Sequence, residues 1–110
     1  MRLPNADAAL VDLRKLERYL LSAIHPIGRS KARFFRGLGF DESSVAQLEQ
    51  ALIDISRAGE VADVAGSPYG KKYIVDGVLP TPSGSRIMLR TIWIVETGGT
   101  RPRFVPAYPI

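Results

Sequence analysis

The feature that most limits how this chain can fold is a change of character at Gly59. Before it, apolar residues recur every three or four positions. After it, the turn clusters Gly66-Ser67-Pro68-Tyr69-Gly70, Pro80-Thr81-Pro82-Ser83-Gly84 and Thr97-Gly98-Gly99-Thr100 cut the chain into segments of strand length rich in Val, Ile, Tyr and Trp. These segments are 60 to 65, 71 to 79, 86 to 95 and 103 to 108. Connections this short predict an antiparallel meander, because parallel neighbours need a crossover of a dozen residues or more. The 86 to 95 segment is apolar on both faces, with Ile87, Leu89, Trp93 and Val95 on one and Met88, Ile92 and Ile94 on the other, and is expected to be central. Pro106 and Pro109 assign the last segment to an edge or a bulge, since proline donates nothing to a ladder.

In the first half, Ala8-Ala9-Leu10-Val11 reads as a short extended stretch, and Asp12 as the N-cap of a helix running to about Ala23. Leu13, Leu16, Leu20 and Ile24 form its apolar stripe, and Pro26 stops it by forcing His25 out of the helical region. A second, short helix starts near Ser30 and ends at Gly37-Leu38-Gly39, with Phe34, Phe35 and Leu38 on its packing side. A third runs from about Ser43 to Ala58, with Ser44 and Gln47 as a capping box, Val45, Leu48, Leu52 and Ile55 as its stripe and Gly59 as its stop. The expected fold is α+β: three N-terminal helices packed on one face of a four-stranded antiparallel sheet. Residues 1–110 form one domain, with a helical half at 12–58, a sheet half at 60–108, and Leu16, Leu20, Leu48, Leu52, Ile55 and Trp93 in the core.

Composition removes several classes of function. With no cysteine, disulfides, zinc ribbons and thiol catalysis are excluded, and a single histidine rules out a histidine-rich metal site within one chain. No apolar run approaches the roughly 20 residues that span a membrane, and the first residues lack the apolar segment of a signal peptide, so a cytoplasmic location is expected. The net charge is +4 and the isoelectric point near 9.8. Residues 25–40 carry Arg29, Lys31, Arg33 and Arg36 and no acid. Residues 61–110 set Lys71, Lys72, Arg86, Arg90, Arg101 and Arg103 against Asp63, Asp76 and Glu96. RNA is the natural partner of such a distribution; the plainer reading is solvated surface charge.

Several tracts together carry a resemblance: Leu3-Pro4-Asn5-Ala6; His25-Pro26 with Gly28, Lys31-Ala32 and Phe35; Tyr69-Gly70 with Tyr73; Thr91-Ile92-Trp93-Ile94; and Pro102-Arg103-Phe104-Val105 with Ala107-Tyr108. Over nearly the whole chain they resemble a small bacterial family of unknown function whose members occur alone and as C-terminal domains of polymorphic toxins. Its helices-then-sheet layout is similar to that of the barnase, EndoU, colicin and RelE group of metal-independent ribonuclease toxins, an analogy of fold and context. The chain departs from the family at Pro106, where a threonine is expected, so a hydroxyl role there is lost. The resemblance implies a toxin-like endoribonuclease needing no cofactor or metal, neutralised by a cognate antitoxin or immunity-type protein. The alternative is a non-catalytic RNA- or protein-binding module of a two-gene system.

Metal-free RNA cleavage needs a base for the ribose 2′-OH, an acid for the leaving 5′-oxygen and cations at the phosphate. His25 suits the base or acid role by its ordinary pKa of about 6.5, with Lys31, Tyr108 or a carboxylate such as Asp76 as its counterpart. Lys31 and Arg90 are the expected phosphate cations and Arg86 a further contact, while Tyr73 and Trp93 are candidates for stacking on bases. The segment His25-Pro-Ile-Gly-Arg-Ser-Lys31 forms a defined loop before the second helix, whose N-terminal N–H groups can receive a phosphate. Each candidate also has a structural reading: His25 as a loop or capping residue, Trp93 as core, Tyr108 as a sheet-closing residue. The catalytic reading requires His25 and Lys31 to open onto one cleft with Arg90 or Tyr108.

Overall fold

The computed structural model describes residues 1–21 and 29–110. Its helices are α1 (Leu13–Leu21), α2 (Arg29–Gly37) and α3 (Val45–Ala58); its strands are β1 (Glu60–Ser67), β2 (Gly70–Pro80), β3 (Arg86–Glu96) and β4 (Arg103–Pro109). Short 3-10 turns at Ala6–Ala8 and Glu42–Ser44 precede α1 and α3. The four strands pair in sequence order and antiparallel, joined by the turn clusters read from the sequence. Pro106 lies where the β3–β4 register shifts between Thr91 and Trp93, the bulge that its missing N–H requires.

The expectation of a sheet of four strands, all antiparallel, is corrected at one edge. Leu10 adds a fifth, single-residue strand beside Arg103, and it runs parallel. Leu10 N–H donates to the Pro102 carbonyl at 2.9 Å and Phe104 N–H to the Leu10 carbonyl at 2.9 Å. The extended stretch had been visible in the sequence, but its partner lies some ninety positions away and no local pattern names it. Flanking Ala9 and Val11 are buried, and Arg101 Nε donates to the Ala8 carbonyl, so the N-terminal segment straps the β3–β4 connection to the core.

Asp12 caps α1 as expected, its Oδ1 accepting from Arg14 N–H at 2.9 Å. Leu13 is not part of the buried stripe: at the first position of α1 it stands 46% exposed, while Leu16 is buried. Leu20 and Ile24 belong to the side chains outside the described residues. The capping box ahead of α3 is formed by Asp41 and Ser44 rather than Ser44 and Gln47. Asp41 Oδ1 accepts from Ser43 N–H at 2.8 Å, and Ser44 Oγ accepts from Asp41 N–H at 2.8 Å. Ser44 is already engaged backwards and makes no side-chain cap for α3 itself.

Among the helices, α3 makes the main contact with the sheet, across β2, and α1 packs on α2 and α3. Leu48, Leu52 and Ile55 of α3 join Tyr73, Val75 and Leu79 of β2, Leu89 and Trp93 of β3, and Phe104 of β4 in one apolar core that also takes in Leu16, Phe35 and Phe40. Gly59 ends α3 with ordinary extended torsions, its N–H bonded to the Ile55 carbonyl at 2.8 Å. Its hydrogen side chain is required by space: a Cβ there would sit 2.6 Å from Val75 Cγ1 and 2.8 Å from the Asp76 carbonyl oxygen.

Candidate functional site

Side chains alternate across a strand, so the helices cover one set of positions and leave the other open. Tyr73, Val75 and Leu79 of β2 and Leu89, Thr91 and Trp93 of β3 take the covered face. The register then puts Lys72, Ile74, Asp76 and Val78 opposite Ile94, Ile92, Arg90 and Met88 on the open face, with Tyr108 of β4 opposite Arg90. Asp76, Arg90 and Tyr108 therefore form one row across three adjacent strands.

Within that row the pair Asp76–Arg90 is bidentate: Arg90 Nε donates to Asp76 Oδ1 at 2.9 Å and Nη2 to Oδ2 at 2.8 Å. The hydrogen bonds from Arg90 hold the Asp76 carboxyl below its ordinary range, against a smaller opposing effect of burial. The same hydrogen bonds, then the charge of Asp76 and more weakly Tyr108 and Asp63, raise the Arg90 pKa further. Arg90 is a fixed cation aimed along the open face. Nε and Nη2 are engaged with the carboxylate, and the side chain is still 36% exposed. Such a guanidinium can donate to a phosphate oxygen from its remaining edge, and Tyr108, opposite it on β4 and 39% exposed, supplies a phenol to the same region.

The other residues expected at a site divide in two ways. Tyr73 (7% exposed) and Trp93 (0%) lie in the core, directly opposite one another, and neither ring presents a face for a base. The stacking expectation is thereby corrected: Trp93 packs edge-on against Phe104 at 5.4 Å between ring centroids and donates its indole N–H to Thr91 Oγ1 at 2.8 Å. Arg86 stands exposed at the start of β3, on the strand face of Arg90 but four residues away, opposite Pro80. His25 and the side chain of Lys31 lie outside the described residues; the Lys31 backbone occupies the first turn of α2.

Two features were not singled out by the sequence. Thr91, an ordinary strand residue by propensity, is fully buried and donates to the Val75 carbonyl at 2.7 Å while accepting from Trp93, so one hydroxyl bridges two core groups. Lys15 of α1 has its pKa lowered, first by burial and then by the neighbouring charge of Arg103 on β4. Nothing in the local sequence of either cation signals that the fold brings them together. Among the described residues no three His, Cys, Asp or Glu side chains group as metal ligands do, and no helix is long and apolar enough to cross a membrane.

No curated protein matches the chain. Among solved structures, a chain of a contact-dependent growth inhibition toxin–immunity protein complex from Klebsiella pneumoniae 342 is similar to it over 93% of this chain and 100% of that one, with a TM-score of 0.71 and 21% identity. That likeness is one of fold. A match to the domain of unknown function DUF6883 extends over residues 2–110, and the chain belongs to that family.

Proposed function

We propose that this chain is the effector member of a toxin–immunity type pair and cleaves RNA in the cytoplasm without a metal, using the open face of its sheet. The observation that carries the reading is the row Asp76–Arg90–Tyr108, in which a carboxylate fixes a guanidinium beside a phenol on a face that none of the described helices covers. The fold shared with a component of a toxin–immunity complex supports a cognate protein partner. The positive balance of the chain supports an anionic substrate.

In this mechanism the ribose 2′-oxygen attacks the adjacent phosphorus as a base removes its proton. A 2′,3′-cyclic phosphate forms, and the departing 5′-oxygen takes a proton from an acid. Arg90 stabilises the extra negative charge on the phosphate oxygens, Tyr108 donates a hydrogen bond to them, and His25 with Lys31 provides the proton transfers. Purified protein incubated with total bacterial RNA in EDTA should give discrete fragments ending in cyclic phosphate. Arg90→Ala should suppress them. RNA left intact by folded wild-type protein, or cleavage abolished by chelation, would overturn the reading.

A second reading is favoured by a different observation: Ile74, Ile92 and Ile94 lie on one side of Arg90 on the open face, and Val78 and Met88, on the other side, are about half exposed. An apolar strip with one fixed ion pair is also what a protein-binding face needs, and a non-catalytic binding module would use it so. Induced expression in a bacterial host separates the two, since an effector arrests growth and a binding module does not.

A further inference from the structure

β2 is longer than the strand beside it. Its pairing with β1 ends at Asp76, opposite Glu60, whereas its pairing with β3 continues to Pro80. Residues 77–80 therefore have a strand on one side only. Backbone direction alternates along an antiparallel ladder, and two bonds set its phase here: Thr81 N–H donates to the Ser85 carbonyl at 3.0 Å and Thr97 N–H to the Tyr69 carbonyl at 2.9 Å. Odd-numbered residues of β2 turn their backbone groups to β3. Val78 consequently turns its N–H and C=O outward, past the end of β1. The edge opens into a groove of 510 Å³ between the strand and α3, with Ala51, Ile55 and Ala58 along one wall and Gly77 and Val78 along the other.

We propose that this groove takes an extended, Lys- or Arg-bearing segment of a partner protein as an added strand on the β2 edge. An outward N–H and C=O flanked by apolar side chains is a template for strand pairing, with backbone bonds giving affinity and alternate side chains giving selectivity. Pro80 limits the addition to a short segment, because it offers a carbonyl but no N–H. The charge of the occupant follows from the lining, which holds Asp54, Glu60 and Asp76 and neither Lys nor Arg. Asp76 is held by Arg90 and Glu60 by the Met1 ammonium at 2.9 Å, while among the described residues Asp54 accepts only an amide hydrogen bond, from Gln50 Nε2 at 2.9 Å. Asp54 is the carboxylate with capacity for an incoming cation. A second copy of this chain fits poorly, since two-fold pairing of the same edge would bring these carboxylates against their own copies. The proposal rests on the strand edge alone and stands or falls separately from catalysis at Arg90.

The test uses an N-acetylated, C-amidated Lys-Val-Arg-Val-Lys-Val peptide, its Glu-for-Lys/Arg counterpart and a version N-methylated at alternate residues, titrated into the whole ¹⁵N-labelled chain. The basic peptide should slow hydrogen exchange of the Val78 amide and shift the Gly77 and Asp54 resonances. The acidic and N-methylated peptides should not. Asp54→Lys should weaken binding about tenfold or more. Val78→Pro removes the outward N–H without removing a β2–β3 hydrogen bond, so it should abolish binding in a chain that keeps its other strand signals. Equal binding of the acidic peptide, perturbations centred on Arg90 instead of Val78, no Val78 protection at millimolar peptide, or a dimer of the free protein that protects Val78 would each overturn the proposal.

Discussion

Asp76 and Arg90 face each other across the two central strands and are joined by two near-parallel hydrogen bonds of 2.9 and 2.8 Å, on a sheet face that carries Ile74 and Ile92 on one side of them and Val78 and Met88 on the other. The pair fixes the direction of the guanidinium, because rotation of Arg90 would break both bonds together. It also couples the open face to proton concentration. Asp76 has a folded-state pKa below its unfolded value, so its contribution to stability is present above the unfolded pKa of about 3.9 and is lost as pH falls through the folded one.

The first prediction follows from that sign. Thermal melts of the wild-type chain should lose stability below about pH 4, and Asp76→Asn should flatten that part of the acid limb while leaving the melt near pH 7 to 9 without new pH dependence. Arg90 stays charged throughout, so Arg90→Ala should flatten the same limb by removing the partner. If both variants kept the wild-type acid slope, the ion pair would contribute nothing to it.

A second prediction concerns Thr91. Thr91→Val conserves shape, but it leaves the buried Trp93 indole N–H without its acceptor, while the Val75 carbonyl keeps the ladder bond of the Val75–Thr91 pair. Burying an unpaired polar group costs about 1–3 kcal/mol, and the indole N–H is such a group here. Denaturant unfolding should show a loss in that range despite the conserved volume, with a changed Trp93 fluorescence. An unchanged midpoint would mean that the core finds another partner for the indole N–H.

Much of this fold was legible because its signals are local. Three turn clusters bounded the strands, Pro106 announced an irregularity in β4, and the stripe Leu48–Leu52–Ile55 placed α3 on the core. The parts that escaped are those decided at long range. Leu10 finds Arg103 only once the sheet exists. β3 is apolar on both faces, and its own sequence does not say which face α3 will cover. For that reason Tyr73 and Trp93 were plausible stacking residues until the helices took their side, and nothing local marks Thr91 as a residue that lies beneath the same layer. For the site, strand periodicity alone put Arg86 and Arg90 on one face, while the partnership of Arg90 with Asp76 and Tyr108 needed the register of both hairpins.

Gly77 gives a third prediction. A Cβ there would stand 2.8 Å from Ile55 Cγ2 and 3.0 Å from its Cγ1, so α3 approaches β2 closely at this point. Ile55 is a branched core side chain that cannot swing clear, and overpacking of this kind costs about 1–3 kcal/mol. Gly77→Ala should therefore destabilise by that amount, and Ile55→Ala, which removes both clashing carbons, should recover part of the loss in the same chain even though it is destabilising alone. Strictly additive losses in the double variant would show that the two positions do not compete for space.

The final prediction concerns the row itself. Tyr108→Phe keeps the ring in place and removes the phenol, and Arg90→Lys keeps the charge while removing the bidentate fork that Asp76 orients. If the open face handles phosphate, Tyr108→Phe should lower RNA cleavage, and with it any growth arrest. Arg90→Lys should lower it further, because an unfixed ammonium is a poorer fit to charge developing on two oxygens. His25→Ala should cost about 10²–10⁴-fold, the range of a lost acid–base group, with an unchanged melt. The pattern separates the two readings of this surface. A docking face would tolerate Tyr108→Phe and Arg90→Lys and respond instead to Ile92→Asp, which leaves the row intact but charges the apolar strip beside it. Full cleavage by Tyr108→Phe and Arg90→Lys together, with loss of partner binding by Ile92→Asp, would move the function of this face from chemistry to recognition.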